Sequence, residues 1–368
     1  MSKIWTILKR PILKKQYGRI VRAKIDTLSK QNNVRQLKTA ASLDTLAQPC
    51  QNEDFALQSR VEYTDKKTLV KKARRKFFTS NLSLRLVDAS KENVNSKLQK
   101  SYWNSYHCNA QLLYRNDGKI TGKYCKCRWC MVCNAIRTAR SINTYLPVIQ
   151  TWNDAYMVTL TIPNCKAADL KNTIYSMYNT FRIVKKYMRN QYLSGNTSEK
   201  FCGVRKIECT YNPTRNDYHP HFHIIVKTKE MAQMLHDQWL VRQAGANVKG
   251  QDVRKTDINS LQELFKYMTK VISKTKDQSV IYADSLDVIF NAMKGRRVLQ
   301  NFGFKLPNIE ENEDVKTTSE MIQAVYEWQS SVNDWVDLQS GECLTGYSPS
   351  EKFKDLIENK IWVRGITQ

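Results

Sequence analysis

The sequence predicts an α/β fold of the α+β kind, a mostly antiparallel sheet with helices packed on it. Three observations carry this. From Ala155 to Lys276, segments of strand and helix character follow in the order β-α-β-β-α-β-α, which suits one sheet covered by helices. The stretch "YHPHFHIIV" (Tyr218 to Val226) alternates in character with a period of two, as a strand with two unlike faces does. Apolar residues make up 41% of the chain, enough to fill a real core.

In chain order, residues 1–100 read as a basic N-terminal extension. Met1 to Lys38 holds eleven Lys and Arg against one acidic residue, and "KKTLVKKARRK" (Lys66 to Lys76) is a second basic cluster. The segment lacks sustained periodicity and reads as a solvated or phosphate-contacting flexible arm. Residues 101–150 form a cysteine-rich unit, and residues 151–305 carry the sheet. "AYMVTLTIP" is β-branched and ends at Pro-Asn, so it predicts a strand. Leu170, Ile174, Met177, Phe181 and Val184 follow at helical spacing. "CGVRKIECTYN" predicts a strand, "NPTRND" a turn, and the histidine run the returning strand. "MAQMLHDQWL" predicts a helix, "ANVKGQDVRKT" a short strand, and "DINSLQELFKYMTKVISKTK" a third helix with Asp257 as its cap. Residues 306–368 turn acidic and predict a linker and an amphipathic helix bearing Trp328 and Trp335.

Charge narrows the function classes. The chain has 59 Lys and Arg against 34 Asp and Glu, net +25, which calls for a polyanionic partner, with nucleic acid first and a membrane surface second. No apolar stretch approaches the ~18 residues a membrane span needs. The basic start has too short an apolar run for a signal peptide, so a cytoplasmic protein is expected. There, clustered cysteines read as metal ligands rather than disulfides.

On a strand, His219, His221 and His223 share one face and Phe222, Ile224 and Val226 the other. If Asn212 to Asp217 is the hairpin loop, Tyr211 pairs with Tyr218 and Glu208 falls opposite His221. Glu208, His221 and His223 then form a three-ligand site for a divalent ion, provided the register does not slip by one residue. In the third helix, Ile258, Leu261, Leu264, Phe265, Met268, Val271 and Ile272 make an apolar stripe. Glu263, Lys266, Tyr267, Lys270 and Lys274 fall opposite. A phenol one turn from a carboxylate, among lysines and near a metal, suits attack on a phosphodiester.

Together these pieces resemble the HUH endonucleases, and among them the one-tyrosine rolling-circle replication initiators of plasmids. "MVTLTIPN" (Met157 to Asn164), "HPHFHIIV", "ELFKYMTK" (Glu263 to Lys270) and "NAMKGRRVLQNFGFK" (Asn291 to Lys305) are similar to family motifs and stand in family order. The resemblance implies an HUH-type fold and a metal-dependent nicking-joining enzyme. In it Tyr267 would become linked to the 5′ phosphate of origin DNA and free a 3′ hydroxyl primer. Glu263 would activate water to end the cycle, and Mg²⁺ or Mn²⁺ would be held by His221, His223 and Glu208. Lys266, Lys270, Lys274, Arg296 and Arg297 are the candidate DNA contacts, to a single-stranded nick site and origin duplex. Whether a host helicase or polymerase joins stays open.

"HCNAQLLYRNDGKITGKYCKCRWCMVCNAIR" suggests a zinc-binding hairpin. The family pattern favours Cys108, Cys125, Cys130 and Cys133 as structural Zn²⁺ ligands. Cys127 in place of Cys125, or a contribution from His107, stays open. The competing readings are an HUH transposase or mobilisation relaxase, and a non-enzymatic zinc-finger DNA-binding protein.

Overall fold

A computed structural model describes residues 65–265, 270–274, 279–307 and 321–358. The N-terminal basic run up to Lys38 therefore lies outside the described residues. The second basic cluster opens a 27-residue helix, α1 (Lys66–Glu92), capped by Asp65, whose side chain accepts from the Lys67 amide. It is buried on more than one side: Leu69, Ala73, Phe77, Leu82 and Leu86 are buried, and so are Lys72, Lys76, Thr79 and Ser83. Burial around most of its circumference spreads small and polar residues among the apolar ones, and this blurs the periodicity.

The chain continues through α2 (Gln99–Tyr106), a hairpin of β1 (Gln111–Arg115) and β2 (Ile120–Gly122), and α3 (Met131–Ile149). Then come β3 (Tyr156–Thr161), α4 (Ala167–Leu193), β4 (Gly203–Asn212), β5 (Asp217–Val226) and α5 (Lys229–Arg242). After these follow β6 (Asp252–Lys255), α6 (Ile258–Phe265), the short pair β7 (Ser273–Lys274) and β8 (Ser279–Val280), α7 (Ala283–Ala292) and β9 (Leu299–Phe302). Last are β10 (Ile322–Gln329), β11 (Asp334–Asp337) and α8 (Glu351–Glu358).

The main sheet has five strands in the order β6-β3-β5-β4-β9, every neighbouring pair antiparallel. Phe222, Ile224 and Val226 of β5 pack on one face against Leu170, Ile174 and Phe181 of α4, Trp239 of α5 and Phe290 of α7. Each such side chain, fully buried, contributes about 1.5–3 kcal/mol. On the other face Met157, Val204 and Ile225 pack with Ile149 of α3 and Leu264 and Phe265 of α6. The histidine row lies on this second face, at the edge of that small core.

Two expected elements differ. The third helix does not run through to residue 276: its described residues are Ile258–Phe265, and residues 270–274 are not helical. Leu264 and Phe265 enter the second-face core whereas Val271 and Ile272 enter the main core, so one straight helix cannot serve both. The C-terminal tryptophans lie on strands, not on a helix. Trp328 of β10 is the cross-strand partner of Trp335 of β11, their rings 4.9 Å apart. Their seven-residue spacing matches two helical turns, but Asn333 takes a positive φ of 58° and turns the chain back as a hairpin. β10 pairs with β1, giving a second sheet in the order β11-β10-β1-β2. Among the described residues no helix is long and apolar enough to cross a membrane.

Candidate active site

The β4–β5 turn sets the site. Asn212 Oδ1 accepts from the amides of Thr214 and Arg215, and Asn216 adopts a φ of 49°. The closed turn fixes Tyr211 opposite Tyr218 and Glu208 opposite His221, the register the loop length predicts. Thr159 and Thr161 of β3 stand opposite His223 and His221 from the other side. One polar patch results on the second face of the sheet.

Within it, Glu208 Oε2 lies 3.4 Å from His221 Nε2 and 3.5 Å from His223 Nε2. All three ligand atoms fall within 4.8 Å of one another. Donors each ~2.1 Å from one ion stand about 3.0–3.4 Å apart, so Glu208 already lies close to the separation from each imidazole that a shared divalent cation requires. Tautomers suit this too. His221 Nδ1 donates to the His219 carbonyl at 3.1 Å, and His223 Nδ1 lies 3.3 Å from the Thr159 hydroxyl. With its proton on Nδ1, each imidazole would turn its Nε2 lone pair inward. Burial pushes the His223 imidazole down, against the upward pull of Glu208. Burial alone would raise the Glu208 carboxyl, but Lys206 and the two imidazoles outweigh it and hold it well below the usual carboxylate range. His219 is not part of the set: its Nδ1 lies 2.8 Å from Asn164 Oδ1.

Helix α6 brings Glu263 to the same place. Asp257 caps it, accepting from the Ser260 amide at 2.7 Å. Glu263 Oε1 then lies 3.6 Å from His223 Nε2, while its other oxygen pairs with Arg254 of β6. Lys206, across from His223, pairs with Glu208 and donates to the Glu263 carbonyl at 2.9 Å. Lys206 and Arg254 were not anticipated, although Lys206 stands two residues before Glu208 on the same strand face. Tyr267 and Lys266 lie outside the described residues. Lys270 is exposed, and the backbone of Lys274 is in β7. Arg296 and Arg297 belong elsewhere: Arg296 stacks over Tyr175 and Tyr178 of α4, the helix on the opposite face of the sheet.

A second cluster forms where the β1–β2 hairpin meets the start of α3. The sulfurs of Cys108, Cys125, Cys130 and Cys133 lie within 4.8 Å of one another, and Cys127 stands outside the group. Cys108 and Cys125 are each 3.6 Å from Cys133, close to the about 3.8 Å edge of a tetrahedron of sulfurs around zinc. Amides point at the sulfurs as they do at thiolates: Lys126 N to Cys133 at 3.3 Å, Cys133 N to Cys130 at 3.4 Å and Cys125 N to Cys108 at 3.5 Å. The set therefore fits a closed structural metal. Lys72 and Lys76 of α1 are buried beside it; burial lowers each ammonium to about 8, and the nearby sulfurs pull the other way.

Known proteins carry the same arrangement of sequence. Residues 119–337 match a family described as a replication protein, a continuous stretch that holds the whole five-stranded sheet with Glu208, His221, His223 and Glu263. The chain belongs to this replication protein family. Protein rep of Staphylococcus aureus is 29% identical over 175 residues, covering 41% of this chain and 73% of that protein. Protein rep of a Bacillus species is 27% identical over 135 residues, 33% of this chain and 42% of that one. Protein rep of Bacillus amyloliquefaciens is 28% identical over 134 residues, 33% of this chain and 38% of that one. No solved structure matches this replication protein.

Proposed function

We propose that this replication protein starts rolling-circle replication of a plasmid in the cytoplasm by nicking one strand of origin DNA. The observation that carries the reading is the convergence of Glu208, His221, His223 and Glu263 on one polar patch of the sheet. A divalent cation, Mg²⁺ or Mn²⁺, held by Glu208, His221 and His223 would polarise the scissile phosphate. The Tyr267 oxygen forms a bond to phosphorus as the bond to the 3′ oxygen breaks. The phenol gives up its proton, and the leaving oxygen takes one to become the 3′ hydroxyl primer. The 5′ phosphate stays on the tyrosine until Glu263 accepts a proton from an attacking water and the adduct is hydrolysed. Arg254 holds one oxygen of Glu263 and so orients the other toward the patch. At the cysteine cluster the proposed ion is a structural Zn²⁺.

The test is adduct formation on denaturing gels. Full-length protein with Mn²⁺ or with EDTA meets single-stranded fragments from the DNA around its own gene. A metal-dependent covalent band, lost in Tyr267→Phe and accumulating in Glu263→Ala, is the expected result. An adduct that survives Tyr267→Phe would assign the chemistry to another nucleophile. DNA binding with no adduct on any fragment would leave a non-enzymatic DNA-binding protein.

A further inference from the structure

Helix α4 lies on the face of the sheet away from the histidines and sends Leu170, Ile174, Met177, Phe181 and Val184 into the main core. Its opposite ridge is as uniform as its core face. Lys171, Tyr175, Arg182, Lys186 and Arg189 are all exposed. At 3.6 residues per turn they fall within about 40° of one line, and that line runs about 27 Å from first to last. Asp169, the acidic residue of the first turn, lies off the line. None of the four cations forms an ion pair with a described residue. A helix face that only meets water usually interleaves acids and bases at i and i+4, because like charges at that spacing repel. This one accumulates repulsion that a polyanion would relieve.

A second element reaches the same ridge. The loop after α7 lays the Arg296 guanidinium 5.3 Å from the centre of the Tyr175 ring, and that tyrosine is 58% exposed. The loop is pinned from behind. Arg128 donates to the carbonyls of Met293 and Arg296, and the Tyr178 hydroxyl donates to the Arg297 carbonyl at 2.8 Å. Half-buried Arg296 and exposed Arg297 are thus carried on a fixed turn against the start of the stripe.

We propose that the α4 ridge, extended by Arg296, is a contact surface for the phosphate backbone of double-stranded DNA, separate from the candidate active site on the opposite face. The partner rests on reading the protein as one that acts on DNA, and the surface does not depend on the nicking chemistry. Shape selects the duplex. Single strands are bound in grooves with several stacking rings, whereas this is a straight convex ridge with one exposed ring, suited to lying along a duplex. Contacts to phosphate alone position DNA without reading its sequence. The two faces would then divide the work, one holding duplex and the other meeting the single strand.

The test uses full-length protein and a labelled duplex of arbitrary sequence a few helical turns long, titrated across a range of salt. A variant carrying Lys171→Gln, Arg182→Gln, Lys186→Gln and Arg189→Gln is expected to lose at least about tenfold in affinity at moderate salt. Its slope of log K against log salt should shrink by about 3 to 4, near 0.9 for each phosphate contact removed. The charge-keeping variant with Arg182→Lys and Arg189→Lys should retain wild-type binding. Binding of a single strand of equal length should change far less. An unchanged affinity and slope, or an equal loss on single-stranded DNA, would overturn the proposal. Failure of the covalent reaction in the wild-type protein would sink the nicking reading and leave this binding measurement intact.

Discussion

Lys206 has almost no water to carry its charge. Its side chain is 2% exposed, and the Glu208 carboxylate paired with it is 14% exposed. Breaking such a pair from one side leaves a buried charge unmatched, a cost of about 3 kcal/mol or more. Glu208→Gln should therefore destabilise the protein by that order, and adding Lys206→Met should recover most of the loss. Urea denaturation of the wild type, both single variants and the double variant measures it; costs that simply add would show the pair is not coupled. A second prediction separates the cysteines. For the structural Zn²⁺ proposed there, Cys133→Ser should lose the metal whereas Cys127→Ser should keep it, as read by metal content per chain after dialysis. Glu208 could be read from sequence because a turn of known length counts it into register with His221. Lys206 could not, since one lysine in a chain with 59 Lys and Arg carries no signal until the fold buries it.

The start of helix α6 is set by its cap. The Ser260 hydroxyl and amide donate to Asp257 and hold its carboxyl below the usual carboxylate range. A folded pKa below the unfolded value means stability that is present above the unfolded value and lost as pH falls through the folded one. Asp257→Ala should thus cost about 1 kcal/mol at neutral pH, with the difference from wild type narrowing in acid, as the pH falls beneath the ordinary aspartate value of about 3.9. Urea midpoints of the two proteins at neutral and acid pH decide it, and a gap that persists undiminished in acid would mean the carboxylate is not the source. The same variant should loosen Glu263 from His223, since the cap fixes where the helix starts. The start of α6 was legible because capping is local chemistry. That residues 270–274 leave the helix was not, because an apolar stripe continuing to Ile272 looks the same whether it enters one core or two. The Trp328–Trp335 hairpin was hidden for a related reason: seven residues is both two helical turns and one tight return.

At the scale of the whole molecule α1 is shared between two cores. Its first turns place Leu69 and Ala73 with Leu112, Ile120 and Trp335 under the small sheet. Its later turns place Phe77, Leu82 and Leu86 in the main core with Phe222 and Ile224. The periodicity did not reveal this, because a helix buried on several sides has no single apolar stripe to detect. A rigid element common to both cores makes their unfolding one event rather than two. Leu86 is fully buried, so Leu86→Ala should cost about 2–5 kcal/mol. Its effect should not stay local: amide protection should fall in β1 and β10 as well as in β4 and β5. Stripping the Zn²⁺ proposed for the cysteine cluster should act in the other direction along the same helix, because Lys72 and Lys76 would then lose the thiolates that compensate them. Hydrogen exchange read by mass spectrometry, with and without a strong chelator, follows all four strands at once. Loss of protection in β1 and β10 alone, with β4 and β5 untouched, would show two independent units and refute the coupling through α1.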